Sequence, residues 1–439
     1  MRTSTIAGIL LIMVQVTFAQ ANLAELNKNW QFRNLKESTW YPATVPGTVH
    51  TDLLANKLIP DPFFRDNESR LQWIDKADWE YKTIFEISKE MYDKRDLTLI
   101  FDGLDTYADV YLNGKLILQA DNMFRGWTVH VKSFLKKKKN ELLIRFWSAQ
   151  NKVDSIAKAR LPLVLPDNNR VYVRKAQYHF GWDWGPTFIT CGIWRSVKLV
   201  GGIPGQNISS PKVKPWDVKL VREKDNDGTS FYFRKDGEPV YCKGANWIPA
   251  EMFLPRLKKE DYRQLLLMAK NANMNMLRVW GGGIYESEDF YSLCDSLGIM
   301  IWQDFMFAGG MVPGDDAFFA NVKEEVRYQL TRLSQHPCIV IWCGNNEIDE
   351  AWHNWGWQQQ FNLHGADSAK VWNDYRRLFE DSLPRWVKQF DQLQRPYTST
   401  SPIHGWGHKE SFTEGDSHYW GVWWGLEDWE TFENKTGRF

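Results

Sequence analysis

The segment Asn345-Asn346-Glu347 follows an apolar run, Ile339–Cys343, of the kind that forms a strand buried on both faces. Glu347 therefore stands where such a strand emerges. A carboxyl group held there among aromatic rings loses hydration, its pKa rises, and it can donate a proton near neutral pH. Glycoside hydrolysis uses that chemistry and needs a second carboxyl group, roughly 5–5.5 Å away where configuration is retained. The competing reading is a salt-bridged loop glutamate, and on this motif alone the two stand level. Asp349 and Glu350 read as caps of the next loop or helix. Trp280, Asp304 and Tyr419 sit at other strand ends. Asp304 reads as a hydrogen-bonding floor residue, Trp280 equally as site wall or interior, and Arg278 and Cys242 as supporting residues.

The elements that would position these residues change character along the chain. Residues 22–202 hold short alternating or apolar runs: 79–87, 97–103, 108–117, 141–147 and 196–202. Asn113-Gly114 is a hairpin signal within them. Many short strands imply a sandwich or jelly roll. Residues 203–222, rich in Pro, Ser and Gly, read as a connector. From 223 to 439 strands and helices alternate, with strands expected at "PVYCKGANWIP", "NMLRVWGGG", "IMIWQDF", "IVIWCGNNE", "YTSTS" and "DSHYW". A helix runs over roughly 368–390, and Gly298 is placed to stop another. Polar, aromatic or glycine residues follow each strand, as at the active face of a (β/α)8 barrel. A doubly wound nucleotide sheet is disfavoured, because the first βα turn lacks G-x-G-x-x-G.

Composition narrows the function. The formal net charge is zero, and the one dense basic cluster, Lys136–Lys139, reads as a solvated turn, so nucleic acid is not an expected partner. Many of the twenty-four tryptophans must be core residues, but several sit in loop-like contexts that packing alone explains poorly, and indoles can serve as platforms for sugar C–H faces. Residues 1–21 carry Arg2, an apolar stretch and small residues, the pattern of a signal peptide too short to span a membrane. Export to the periplasm, the extracellular space or, in a eukaryote, the lysosome is expected. The five cysteines lack metal-ligand spacing and read as buried thiols; no metal or cofactor is called for.

Several motifs together resemble family-two glycoside hydrolases of the β-mannosidase type: "GLDTYADVYLNG" (103–114), "YHFGWDWGP" (178–186), "KGANWIP" (243–249), "LRVWGGGIYE" (277–286) and "WCGNNE" (342–347). The resemblance implies a sugar-binding jelly roll, an immunoglobulin-like spacer and a (β/α)8 barrel. It also implies retaining hydrolysis of terminal β-linked mannose from oligosaccharides or glycans. On that pattern Glu347 is the general acid/base and Asn346 holds the sugar 2-hydroxyl. Trp182 and Asp183 bind the terminal mannose, Trp280 and Trp355 line its ring faces, and Tyr419 neighbours the nucleophile.

Two departures stand out. Only the connector 203–222 occupies the spacer's place. The family's nucleophile is expected beyond the final "ENKTGRF", which leaves an incomplete barrel and an impaired enzyme. A non-catalytic carbohydrate-binding protein is the alternative, as is a related β-galactosidase or β-glucuronidase.

Overall fold

The computed structural model describes residues 23–201, 214–405 and 409–435. The expected signal peptide lies outside them, as do residues 202–213. The N-terminal part is built from ten strands: β1 (Leu23–Glu25), β2 (Trp30–Asn34), β3 (Tyr41–Ala43), β4 (Trp79–Glu86), β5 (Leu97–Phe101), β6 (Tyr107–Leu112), β7 (Lys115–Asp121), β8 (Trp127–His130), β9 (Lys139–Trp147) and β10 (Val197–Gly201). They form two antiparallel sheets, in the orders β1-β10-β5-β8 and β3-β2-β4-β9-β6-β7. Period-two patterning explains the second sheet. Ala108, Val110 and Leu112 of β6 and Leu142, Ile144 and Phe146 of β9 are buried, and their neighbours face outward. Asn113 and Gly114 both take positive φ between β6 and β7, the conformation a two-residue hairpin turn requires. Lys136–Lys139 are exposed, as a solvated turn should be.

The connector reading fails at its far end. Val218–Val221 is strand β11, and with β12 (Tyr232–Lys235) and β13 (Glu238–Val240) it forms a three-stranded antiparallel sheet. The Pro-rich flank masked its alternation. This small sheet has a packing task. Val218, Leu220, Val240 and buried Phe233 rest on Met276, Met300, Trp302, Val340 and Ile341 of the following sheet.

That sheet is parallel and adds strands in chain order: β14 (Gly244–Trp247), β15 (Met276–Val279), β16 (Met300–Asp304), β17 (Ile339–Cys343) and β18 (Tyr397–Thr398). β16 and β17 are buried at all five positions; the unbroken apolar run of β17 foretells this, whereas β16 buries Gln303 and Asp304 at its C-terminal end. Helix Glu288–Leu297 ends at Gly298, whose φ of 72° gives the left-handed stop. The helix expected over 368–390 is Gly365–Arg376 and Leu383–Phe390, joined by a π-helical turn. No strand forms at "DSHYW" among the described residues. That segment turns instead beside the C-terminal end of β17, so five parallel strands stand where six were expected.

A buried ionic cluster joins the two parts. Glu325, on helix Asp316–Leu333, accepts two hydrogen bonds from Arg174 (2.9 and 2.8 Å) and one from Asn122 (2.9 Å). Tyr285 completes its shell at 3.0 Å. The two ionic side chains are 0% and 3% exposed. Removing one partner of such a pair strands the other charge in a dry environment, at a cost of about 3–5 kcal/mol. Glu325→Ala should therefore lower unfolding free energy by that order in urea titration, whereas the same change at exposed Glu324 should cost less than about 1 kcal/mol.

Candidate active site

Glu347 reaches the cavity through a strained turn. Beyond Cys343, the last residue of β17, the chain keeps pairing: Asn346 N–H donates to Phe307 O (3.0 Å) and Glu347 N–H to Ser401 O (2.9 Å). Asn345 locks the corner, accepting from Ile348 N–H and Thr400 Oγ1 (3.0 Å each) and donating to Ser399 O (2.9 Å). Glu347 then takes φ 60°, a left-handed conformation costly for a non-glycine residue, and becomes the N-cap of helix Ile348–Asn354. The reversal delivers its carboxyl to the cavity. Asp349 and Glu350 fall in that helix's first turn, as their positions implied.

The cavity holds about 620 Å³. Glu347, Asn346, Trp182, Asp183, Trp280 and Tyr419 all line it. Trp182 and Trp184 come from the β domain, and each meets the Trp280 ring edge-to-face, with centroids 4.7 and 5.7 Å away. Trp280 can fold back in this way because a Cβ on Gly282 would stand 1.8 Å from its indole. The Gly281–Gly283 run thus makes room for a ring. Arg170 stacks 4.3 Å from the Trp182 centroid and steadies the loop. Trp355 does not line the cavity. It sits just past helix Ile348–Asn354, half exposed, with its ring against Trp357, because that helix carries it away from the strand ends.

Beneath the carboxyl lies a polar network. Arg278, 12% exposed, donates to Asp304 (2.8 Å) and to Asn346 Oδ1 (3.0 Å). With its oxygen so occupied, Asn346 turns its amide nitrogen to Glu347 Oε2, 3.1 Å away. Asp304 also accepts from Trp302 Nε1 and Gly281 N–H (3.0 Å each), which makes it the floor residue anticipated. On the other side His418 Nδ1 lies 2.8 Å from Glu347 Oε1, and the two side chains are 21% and 19% exposed. Sequence reasoning missed His418, Ser401 and Asp416. Its one available signal was His418 adjoining Tyr419, and "DSHYW" read as a strand hid it.

The electrostatics correct one expectation. Burial does push the Glu347 carboxyl upward. The His418 hydrogen bond and charge, the Arg278 cation and the Asn346 amide outweigh it and hold the pKa below the usual range. Glu347 is therefore an ionised, paired carboxylate at neutral pH. Tyr419, by contrast, donates to Glu427 and is pushed up to about 12. Among the described residues no His, Cys, Asp and Glu group could hold a metal ion. All five cysteines are free thiols, four of them buried.

Comparison with known proteins places this arrangement. Residues 30–195 match the glycosyl hydrolase 2 galactose-binding domain-like family. A galactose-binding-like β domain followed by an α/β domain is consistent with the architecture of glycosyl hydrolase family 2. Among its relatives there are β-mannosidases. β-Mannosidase B of Thermothelomyces thermophilus is 33% identical, over 94% of this chain and 60% of that enzyme. The β-mannosidase of Rattus norvegicus is 32% identical, over 93% of this chain and 59% of its own length. The crystal structure of β-D-mannosidase from Dictyoglomus thermophilum superposes with a TM-score of 0.85 at 36% identity, covering 95% of this chain and 62% of that one. Amycolatopsis orientalis exo-chitosanase, at 14% identity and a TM-score of 0.60, shares the fold alone. The chain thus spans about 60% of the length of the curated relatives it matches.

The Glu347 pairing has a measurable signature. A depressed folded pKa adds stability that is present above the unfolded value of about 4.3 and is lost as pH falls through the folded one. In a carbon-13 titration the Glu347 carboxyl should give a midpoint below about 4.3, and acid unfolding should be steeper than in Glu347→Gln.

Proposed function

We propose that the chain carries the sugar-binding and proton-donating part of a retaining, exo-acting β-mannosidase site. The observation behind this reading is convergence. A Trp-Asp-Trp loop from one domain and an Asn-Glu pair at a parallel strand's C-terminal end in the other line a single cavity. The N-terminal sheets are of jelly-roll type, and the five sequentially ordered strands are part of a (β/α)8 barrel. Terminal β-linked mannose on an oligosaccharide or glycan is the substrate. Trp182 and Trp280 offer ring faces, Asp183 accepts sugar hydroxyls, and Asn346 binds the 2-hydroxyl. Glu347 protonates the departing oxygen and later takes a proton from water. Tyr419 stands at the rim, beside the place of the attacking carboxylate.

That second carboxylate is the remaining requirement. Of the other acids lining the cavity, Asp416 is held by Ser401 and by the amide of Ile403, and Asp183 belongs to the sugar-binding loop. The nucleophile is therefore assigned outside the described residues. The alignment with the fungal relative runs to 517 residues, more than this chain's 439, so the relative has internal residues without counterpart here, in line with a missing spacer. Export of the protein to meet its glycan belongs to the same reading, and no described helix is long and apolar enough to cross a membrane.

Calorimetry and turnover test the reading together. The 439-residue chain should bind mannobiose saturably, lose binding in Trp182→Ala, and hydrolyse an aryl β-mannoside only at trace rates. In a protein extended to the length of its relatives, Glu347→Gln should lower kcat/KM by about 10²–10⁴ for poor leaving groups and far less for activated ones. Ordinary turnover by the 439-residue chain would overturn the placement of the nucleophile. Binding without hydrolysis in the extended protein would make it a carbohydrate-binding protein, and preference for a galactoside or glucuronide would change the sugar.

A further inference from the structure

A second cavity, of about 480 Å³, lies wholly within the β domain at the base of the Trp182–Trp184 loop. The tip residues Trp182, Asp183 and Trp184 line the Glu347 cavity, whereas Phe180 and Thr187, which flank them in sequence, line this one. Its size falls in the range of small-molecule sites, about 300–1,000 Å³. Arg170 belongs to both neighbourhoods. It borders the second cavity, stacks on Trp182 and donates to Gly181 O at 3.4 Å. None of the residues around this cavity has a part in the reaction proposed above.

Hydrogen bonds within the wall fix which polar atoms are left over. Gln72 spends both amide hydrogens, on Glu68 O (2.9 Å) and Thr187 O (2.8 Å), so its side-chain oxygen is the spare group. Asn169 gives its Nδ2 to Asp154 (2.7 Å) and likewise keeps an acceptor. Asn168 is the reverse: its Oδ1 accepts from the Arg170 N–H (2.9 Å), and its Nδ2 remains a donor. Lys76 adds an ammonium group. Asp75 is short of donors. Its Oδ1 is buried without a hydrogen-bond partner, and burial pushes the carboxyl pKa up to about 6 despite Lys76 beside it.

Spare donors and spare acceptors are thus interleaved, and that decides the class of ligand. A cation satisfies acceptors alone, and among the described residues no group of His, Cys, Asp and Glu could hold a metal ion. An anion satisfies donors alone and would face both Asp75 and Asp154. A hydroxyl does both at once: it gives its hydrogen to a carboxylate or amide oxygen and accepts from an amide or ammonium. Phe180 and the buried Ile189 supply the apolar part of the wall, against which the C–H face of a ring packs.

We infer that this cavity is a second saccharide site, which takes a neutral sugar unit separately from the Glu347 cavity. The wall chemistry calls for a neutral polyol, and the choice of a sugar among polyols rests on the proposed function. With a single aromatic ring and otherwise mostly polar walls, the site is weak, with a dissociation constant on the order of 10 mM. The calorimetric titration of the tryptophan-lined cavity therefore does not register it. A glycan with several ends that is held weakly here rebinds at the neighbouring cavity, because its effective concentration there is raised.

Nitrogen-15 spectra of the 439-residue chain separate the two sites, since Trp182 carries an indole N–H and Asn168 and Asn169 carry side-chain amides. Titration with mannose should move both sets of signals, the asparagine pair with its own, weaker midpoint. In Trp182→Ala the asparagine signals should still respond. Asp154→Ala removes the acceptor that holds Asn169, and should weaken the second site about tenfold or more while the Trp182 indole titrates as before. Asp75→Asn keeps the shape of the wall and should weaken the second site several-fold. Calcium chloride and inorganic phosphate should not compete with the sugar. The inference is overturned if the asparagine signals ignore mannose at high concentration, if Trp182→Ala abolishes their response, or if Asp154→Ala and Asp75→Asn leave it intact. Displacement of the sugar by calcium or phosphate overturns it as well. If instead the asparagine pair responds to mannose and Trp182 does not, the second site stands and the proposed function falls.

Discussion

The composite site depends on the docking of two domains around one buried carboxylate. Glu325 belongs to the α/β part but spends its hydrogen-bonding capacity on Arg174 and Asn122 of the β part, and on Tyr285. A pair so deeply buried is a weak source of net stability compared with a hydrophobic substitute, but its geometry permits only one arrangement. Arg174 lies eight residues before Trp182 and packs 3.9 Å from the Phe307 ring. The Phe307 carbonyl in turn accepts the Asn346 amide that continues β17 into the site. The interface therefore fixes the cavity's tryptophans and the Glu347 corner with the same few residues.

Within the cavity a second buried cation does comparable work. Arg278 is paired with Asp304 on the neighbouring strand, so it is neither mobile nor free to form an ion pair with Glu347. Its remaining donors go to Asn346 and to the His418 side. Through Asn346 it decides which end of the amide faces Glu347. The Arg278–Asp304 pair is the reason Asn346 can act as a donor there at all.

Much of the architecture was legible because it rests on local pattern. Alternation in β6 and β9, the Asn113-Gly114 turn, the unbroken run of β17 and the stop at Gly298 each follow from a few adjacent residues. The Trp182-Asp183-Trp184 loop and the Asn346-Glu347 pair were also legible, as contiguous motifs. What escaped is non-local. His418 meets Glu347 across 71 residues, and Ser401 meets Asp416 across a loop with no period. No spacing within one element encodes either contact. The pKa of Glu347 was misjudged for that reason: desolvation could be foreseen from the aromatic surroundings, but its cationic neighbours could not. Trp355 failed differently, since one short helix was enough to swing it from the strand ends to the surface.

The small sheet β11–β13 explains how such a polar site coexists with a dry core. Parallel strands send alternate side chains inward. Here Met276 and Arg278 share one face of β15, and Met300, Trp302 and Asp304 share one face of β16. The apolar end of each series would be wet if left open. Phe233, Val218, Leu220 and Val240 cover it from below. Water is thus confined to the end where Arg278, Asp304 and Asn346 need a boundary between core and solvent. Trp302 spans that boundary: its ring packs on Phe231 beneath, while its Nε1 donates upward to Asp304. The residues read from sequence as a connector are therefore part of the floor on which the charges stand. Their alternation was disguised by the prolines and glycines around them, whereas their burial partners lay on three other strands.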